Sequence, residues 1–265
     1  MRVIYMGRKP AASDGLKYLI KKDIDVAVVV APPENQPCFW QGRLIDTALQ
    51  FGIPVATDDE LYYYTSEEGK TSGKRYLVED IDLVISFLFW KRIKKPLIDL
   101  PKIGCINFHP APLPDFRGVA GYTFAIYNNL SYWGVSAHFV DESLDTGDII
   151  KMNRFDINAS EETAFSLEQK SQDYLVQLFK EVINITLAGK ALPRNPQGEG
   201  QYINKEDFEQ LRKVRTNDSL EEIERKIRAF WYPPYSGASV EIQGKEFTLV
   251  NDEVLKDIGN KYHHR

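Results

Sequence analysis

The residues best placed to act together lie at the ends of two short apolar stretches. Gly104-Cys105-Ile106-Asn107-Phe108-His109 reads as a buried strand. Side chains alternate along a strand, so Asn107 and His109 leave it on the same face. Pro110 and Pro112 stop the strand, because neither has an N–H to give to a ladder. Residues 134–140 read as a second strand, which runs into the acidic loop Asp141-Glu142-Ser143-Leu144-Asp145. If the two strands share a sheet, an amide (Asn107), an imidazole (His109) and a carboxylate (Asp145) converge at one edge. That set suits acyl transfer. Other polar residues nearby take plainer readings: His138 as a satisfied structural histidine, and the Asp145/Asp148 pair, taken alone, as turn chemistry. Four histidines and two cysteines scattered along the chain give no zinc site.

The elements that must carry these residues follow from hydrophobic patterning. Residues 2–6 are expected as a first strand, followed by a loop at Gly7–Pro10 and a helix over 12–22. Residues 24–31 are continuously apolar, as in a parallel strand covered on both faces. A loop from Pro32 to Pro37 leads into a helix reaching about Phe51 and stopped by Gly52. A short third strand is expected over 54–56, and Asp58 starts another helical piece. Residues 66–74 are polar and glycine-containing and read as a flexible surface loop; Gly69-Lys70-Thr71 lacks the upstream glycine of a phosphate-binding loop. Gly7 likewise lacks the further glycines of a dinucleotide fingerprint.

Residues 82–87 are expected as the fourth strand, with Phe87-Leu88-Phe89-Trp90 running off its end. Further on come a helix over 122–129, a strand over 147–157 and a long packing helix from Ser160 to about Ala188. Strands alternating with helices argue for an α/β fold with a doubly wound, mostly parallel sheet. From Pro193 to Tyr202 the composition shifts to Pro, Gly, Asn and Gln. This sets expected boundaries at 1–192 for a catalytic domain, 193–204 for a linker and 205–265 for a small C-terminal domain. The last holds a helix with a capping-box pattern at Ser219 and Glu222, a turn at 231–237 and a β-hairpin around Gln243-Gly244.

With 265 residues, 43% of them hydrophobic, the chain can fill one good-sized α/β domain and a smaller appendage. A formal net charge of -5 leaves no global basic footprint for nucleic acid, although a local patch can bind RNA on an acidic protein. Cys38 and Cys105 cannot build a disulfide framework, which fits a reduced compartment; Cys105 reads as a small core residue. The N-terminus runs straight into the fold with no signal peptide, and no apolar run is long enough for a bilayer. A soluble cytoplasmic protein with no membrane partner is expected.

The stretch CINFHPAPLPDFRGVAGYTFAI, followed by GVSAHFVDESLDTGDII, closely resembles the folate-dependent formyltransferase family. That family includes methionyl-tRNA, glycinamide ribonucleotide and nucleotide-sugar N-formyltransferases. Its signature is Asn-x-His, a proline-rich loop with Arg-Gly, then Asp-x-Gly, and the resemblance covers roughly residues 1–200 in layout. It implies a Rossmann-like core, 10-formyltetrahydrofolate as formyl donor and no metal. It implies Asn107, His109 and Asp145 as catalytic residues. An uncharged amide donor suits the developing oxyanion, a histidine can take or lend a proton near neutrality, and Asp145 can orient His109, hold it in its charged form and organise a water. No residue needs to be acylated, so direct attack by the substrate amine is expected.

The resemblance also implies a folate pocket at Phe87, Leu88, Phe89, Trp90, Ala111, Pro112, Leu113, Pro114, Val140 and Asp141. The aromatics after the fourth strand could equally be core. On the substrate side, Arg8 and Lys9 sit at the first strand-to-helix turn, where helix amides favour a phosphate; two solvated loop charges are the other reading. Tyr122, Trp231 and Tyr232, with Tyr235, could stack on a base or pack a domain junction. Within the family, the short stretch after Gly237 resembles the nucleotide-sugar enzymes, whereas methionyl-tRNA formyltransferases carry a complete small β-barrel there. The expected substrate is therefore a dTDP-, UDP- or GDP-linked amino sugar of surface-polysaccharide synthesis, such as lipopolysaccharide O-antigen, and tRNA is not an expected partner. A methionyl-tRNA formyltransferase with a shortened C-terminal domain is the first alternative. A non-catalytic folate-binding module is the second, against which the intact Asn107, His109 and Asp145 speak. Glycinamide ribonucleotide formyltransferase fits worse, given the first loop and the extension beyond the catalytic domain. A homodimer could form through the open edge of the tail hairpin.

Overall fold

A computed structural model describes residues 1–32, 43–118, 120–200 and 205–256. Most of the loop expected between Pro32 and Pro37, Cys38, the end of the expected linker, and His263 and His264 lie outside the described residues. The elements in chain order are β1 (Arg2–Gly7), α1 (Lys9–Lys21), β2 (Asp25–Val30), α2 (Leu44–Gln50), α3 (Asp58–Thr65), β3 (Leu83–Phe87), β4 (Gly104–His109), α4 (Gly121–Tyr127), β5 (Tyr132–Phe139), β6 (Ile149–Asp156), α5 (Ala164–Leu187), α6 (Lys205–Arg212), α7 (Leu220–Phe230), β7 (Ser239–Ile242) and β8 (Lys245–Thr248). Six strands form the central sheet in the order β2-β1-β3-β4-β5-β6. β1 pairs parallel with β2 and β3, β3 pairs parallel with β4, and β4 pairs antiparallel with β5. This is the mostly parallel α/β sheet that the alternation of strands and helices required, and β7 and β8 add a separate antiparallel pair.

The described chain gathers into two compact units. One comprises residues 1–114, 135–153 and 172–199; the other comprises 115–134, 154–171 and 200–265. β5, β6 and α5 each contribute to both.

In the first unit the two-residue period of the strands sorts the core onto two faces. Ile4, Met6, Val28, Val30, Val84 and Cys105 bury against Leu61, Leu77 and Ile81 on one face. On the other, Tyr5, Phe87 and Phe108 meet Phe179 of α5, with ring centroids 4.9 to 6.0 Å from Phe179. The Tyr5 hydroxyl donates to Ala12 O at 2.8 Å, so this buried ring keeps a partner for its polar end. Cys105 is buried, and desolvation holds its thiol well above the usual range, which removes the thiolate.

Several elements differ from expectation for local reasons. Residues 54–56 form only an isolated bridge, Val29 with Val55; Pro54 accepts from Val29 N–H but has no N–H of its own to continue the ladder. Residues 66–74 are not a free loop. They contain a short 3-10 turn, Glu68–Thr71, with a second at Arg75–Val78. Arg75 Nη1 donates to Tyr64 O at 2.8 Å, and Ser66 Oγ accepts from Gly69 N–H at 3.2 Å. A Cβ on Gly69 would meet Tyr63 O at 2.0 Å, so the close approach requires glycine there. A complete capping box opens α3: Thr57 Oγ1 accepts from Glu60 N–H, and the Glu60 carboxylate accepts from Thr57 N–H at 2.8 Å.

In the second unit, α5 begins later than expected, because Thr163 and Ser166 cap one another reciprocally at 2.9 and 3.0 Å. Ser219 caps α7 by accepting from Glu222 N–H. On that helix Lys226, 4% exposed, pairs with Asp218 at 2.6 Å and donates to Lys213 O at 3.0 Å. α6 was not expected. It ends on the buried Arg212, which donates to Gly237 O at 3.1 Å and pairs with Glu246 of β8 at 2.7 Å. The hairpin ends at Thr248.

Candidate active site

Strand register assembles the site. β3 sets Ser86 opposite Asn107, and β5 sets His138 opposite Asn107 on its other side. All three side chains therefore share one face and stand abreast across three strands. Ser86 Oγ donates to Asn107 Oδ1 at 2.7 Å. His138 Nδ1 lies 2.7 Å from Phe139 O, which can only accept, so Nδ1 carries the hydrogen and Nε2 is the acceptor. Asn107 Nδ2 lies 3.0 Å from that Nε2 and donates to it. The row Ser86-Asn107-His138 thus fixes which end of the Asn107 carboxamide points where.

His109 lies two residues on, paired in register with Ser136. Ser136 Oγ donates to Ala111 O at 2.8 Å and accepts from Leu113 N–H at 3.0 Å, which seats the proline-rich loop against β5. Asp145 reaches this face from the loop between β5 and β6. Its Oδ2 is 3.6 Å from His109 Nδ1, and its Oδ1 is 3.5 Å from His138 Nε2 and 3.4 Å from Asn107 Nδ2. His109 is 6% exposed and His138 2%. A carboxylate among two imidazoles and an amide, largely out of water, can hold positive charge on a ring and relay protons.

The loop that brings Asp145 in is tightly built. Asp145 has φ of 54°, in the left-handed region. A Cβ on Gly147 would meet Phe139 O at 2.0 Å, so the loop doubles back against β5 there. Thr146 Oγ1 donates to the Asp141 carboxylate at 2.7 Å.

The structure brings Asn107, His109 and Asp145 together as the spacing suggested. It also adds Ser86 and His138 to the cluster. His138 was expected to stand apart as a structural residue; cross-strand register, which no local pattern reveals, puts it beside Asn107.

The other candidate positions divide. Phe87 is fully buried, its ring 5.6 Å from Phe108, so its side chain belongs to the core. Leu88, with φ of 56°, turns the chain, and its carbonyl accepts from Arg8 Nε at 3.1 Å. Phe89 and Trp90 lie ring against ring at 4.5 Å. Ala111, Pro112 and Leu113 are buried, whereas Pro114 and Val140 are partly so; Val140 N–H donates to Cys105 O at 2.8 Å. Asp141 is held by Thr146, and Lys9 has φ of 72° beside Pro10. Tyr122, Trp231 and Tyr232 belong to the second unit. There the Tyr232 ring stacks with Tyr122 at 6.5 Å and with Tyr235 at 5.8 Å, and Trp231 O accepts from Phe165 N–H. Among the described residues, no group of three or more His, Cys, Asp or Glu is placed to hold a metal ion, and no helix is long and apolar enough to cross a membrane.

Comparison with known proteins bears directly on this arrangement. The profile of the formyl transferase family matches residues 1–183. The methionyl-tRNA formyltransferase of Lachnospira eligens is 29% identical over 264 residues, 97% of this chain and 80% of that protein. That of Syntrophomonas wolfei is 29% identical over 98% of this chain and 82% of its own length. Among solved structures, the N-formyltransferase from Helicobacter canadensis in complex with folinic acid and dTDP-3-aminofucose superposes with a TM-score of 0.70 at 25% identity, over 95% of this chain and 88% of that one. WlaRD, a sugar 3N-formyl transferase solved with dTDP and 5-N-formyl-THF, gives 0.71 at 25% identity over 93% and 84%. The profile match spans Asn107, His109 and Asp145, and the chain belongs to the formyl transferase family, an enzyme of formyl transfer.

Proposed function

We propose that this protein is an N-formyltransferase that moves the formyl group of 10-formyltetrahydrofolate onto the amine of a nucleotide-linked amino sugar. The observation that carries the chemistry is the convergence of Asn107, His109 and Asp145 on one face of the sheet. In this reading the substrate amine attacks the formyl carbon directly. One Asn107 N–H is spent on His138; the other, which makes the long 3.4 Å contact to Asp145, meets the formyl oxygen as it gains charge. His109 takes the proton released by the attacking nitrogen and returns it to the folate nitrogen as the carbon–nitrogen bond to folate breaks. Asp145 stabilises the imidazolium between these two transfers. The 3.6 Å separation of His109 and Asp145 is of the kind that closes when substrate is bound.

The folate would lie along Leu88–Trp90, the 111–114 loop, Val140 and Asp141. Arg8 and Lys9 would meet phosphate, and the stacked Tyr122 and Tyr232, with Trp231, would meet the nucleotide. Support for a sugar nucleotide comes from the Helicobacter canadensis enzyme, whose complex holds dTDP-3-aminofucose and which matches over nearly the whole of both chains. Such a reaction belongs to surface-polysaccharide synthesis in the cytoplasm. The 29% identity to methionyl-tRNA formyltransferases favours the second reading, a tRNA-linked amine.

A mass-spectrometric assay with 10-formyltetrahydrofolate, a panel of nucleotide-linked amino sugars and methionyl-tRNA separates the two. The expected result is a one-formyl gain on a sugar nucleotide, lowered about a thousandfold in His109→Ala. Gain on the tRNA alone overturns the sugar reading.

A further inference from the structure

We infer that Gln197 is a positioning residue for Asp145, an inference that rests on the catalytic role proposed for that carboxylate above. Residues 193–199 have the composition of a linker, yet they lie as a strap along the site loop. Asn195 makes an antiparallel bridge with Ile149, through Ile149 N–H to Asn195 O at 2.8 Å and Asn195 N–H to Ile149 O at 3.1 Å. The Asn195 side chain adds a bond to Ile149 O at 2.9 Å. Arg194 stacks its guanidinium 3.6 Å over the Phe139 ring and lies 3.5 Å from Asp148. Two residues beyond Asn195, Gln197 Nε2 donates to Asp145 O at 3.1 Å and to Gly147 O at 2.7 Å.

The second pair of bonds acts on the one residue of the cluster whose backbone is unusual. A left-handed conformation at a non-glycine position persists only where its surroundings enforce it. At Asp145, with φ of 54°, the carbonyls of residues 145 and 147 are both within reach of one nitrogen. A carboxamide nitrogen carries two N–H groups, one for each. From the other side Gly147 rests against Phe139 O. The loop is thereby clamped between β5 and the strap, and the direction in which the Asp145 side chain leaves the backbone is set. The chemistry of the clamp is also selective. An ammonium would bring a full charge beside the Asp145 carboxylate and compete with His109 for it, and a carboxylate would repel both carbonyls. A neutral double donor does neither.

The test compares Gln197→Ala and Gln197→Glu with Asn195→Ala, which removes a side-chain bond from the same strap but leaves its backbone bridge. Asp145→Asn is the benchmark, in the formyl-transfer assay and by NMR of the imidazole carbons. The expected result is that both Gln197 variants lose about tenfold or more in kcat, as misplacement of a reacting group does. Folate KM stays unchanged, and the His109 resonances move. Asn195→Ala stays within about twofold of the wild type in kcat, with His109 unmoved. Equal losses in Asn195→Ala and the Gln197 variants, or a Gln197→Glu with wild-type kcat and unmoved His109 resonances, overturn the inference. A fully active Asp145→Asn instead overturns the reading on which it rests, whatever the Gln197 variants do.

Discussion

Polar groups are handled in two ways in the two compact units. In the first, Ser86, Asn107 and His138 form a neutral row in which each donor meets an acceptor, and the Asp145 carboxylate stands at its edge. In the second, Lys226 is matched at once by Asp218 at 2.6 Å, by Glu222 at 3.3 Å and by a backbone carbonyl. The difference sets the proposed place for chemistry apart from a place for structure. A charge already satisfied by an opposite charge and hydrogen bonds has nothing left to offer a substrate. A neutral, oriented row beside one carboxylate can answer a charge that appears only during reaction.

The comparison breaks most visibly at Asn107. Asn107→Ala removes the centre of the row, and kcat is expected to fall by about 10²–10³-fold, measured at saturating donor and acceptor. If kcat holds while stability falls, the row is structural and the distinction collapses.

Asp218→Asn should do the opposite: kcat unchanged, and stability lower by about 3 kcal/mol, because a buried ammonium loses the nearer of the two carboxylates it faces; urea melts read this. Its pH dependence follows from sign. The Arg215 backbone N–H and Lys226 hold the Asp218 carboxyl below the usual range. The folded value is thus depressed relative to an unfolded one of about 3.9. Its contribution is full above the unfolded value and fades as pH falls through the folded one. The gap between wild type and variant should therefore be flat from neutrality down to about pH 5 and narrow only in stronger acid.

Thr57→Ala is the smallest effect. It removes the Oγ1 cap of α3 within the unit that holds the site, and should lower stability by about 1 kcal/mol, seen as a shift in the urea midpoint with kcat unchanged. A loss of kcat would show that the site feels helix ends as well as strand register.

The strands were legible because their apolar runs are continuous, and Asn107 and His109 could be set on one face from their spacing alone. Asp145 was legible only in outline, as the acid at the end of a second strand. Ser86 and His138 were not, because membership of the row depends on how β3 and β5 slide against β4, which is set by the whole sheet. Phe87 illustrates the converse. It was grouped with the aromatics that follow it, but the alternation that puts Ser86 beside Asn107 turns Phe87 into the opposite core. Gln197 lay in a stretch whose Pro, Gly and Asn content argues for a linker, and composition cannot show that Asn195 finds a strand to pair with. α6 was missed because its sequence, Lys-Glu-Asp-Phe-Glu-Gln-Leu-Arg, has too few apolar residues for a periodic signal.

The aromatic layer beneath β4 has a consequence for how such an enzyme could change over evolutionary time. Phe108 alternates with Asn107 and His109, and its ring is locked 5.6 Å from Phe87 and 4.9 Å from Phe179. The strand that presents Asn107 and His109 cannot be re-aimed by small substitutions without breaking a close-packed floor. The residues proposed to meet the nucleotide belong to other elements: Arg8 and Lys9 to a strand-to-helix turn, Trp231 and Tyr232 to the turn after α7. Descendants of this chain could exchange the amine they accept by rewriting those turns while inheriting the same row of polar groups unaltered.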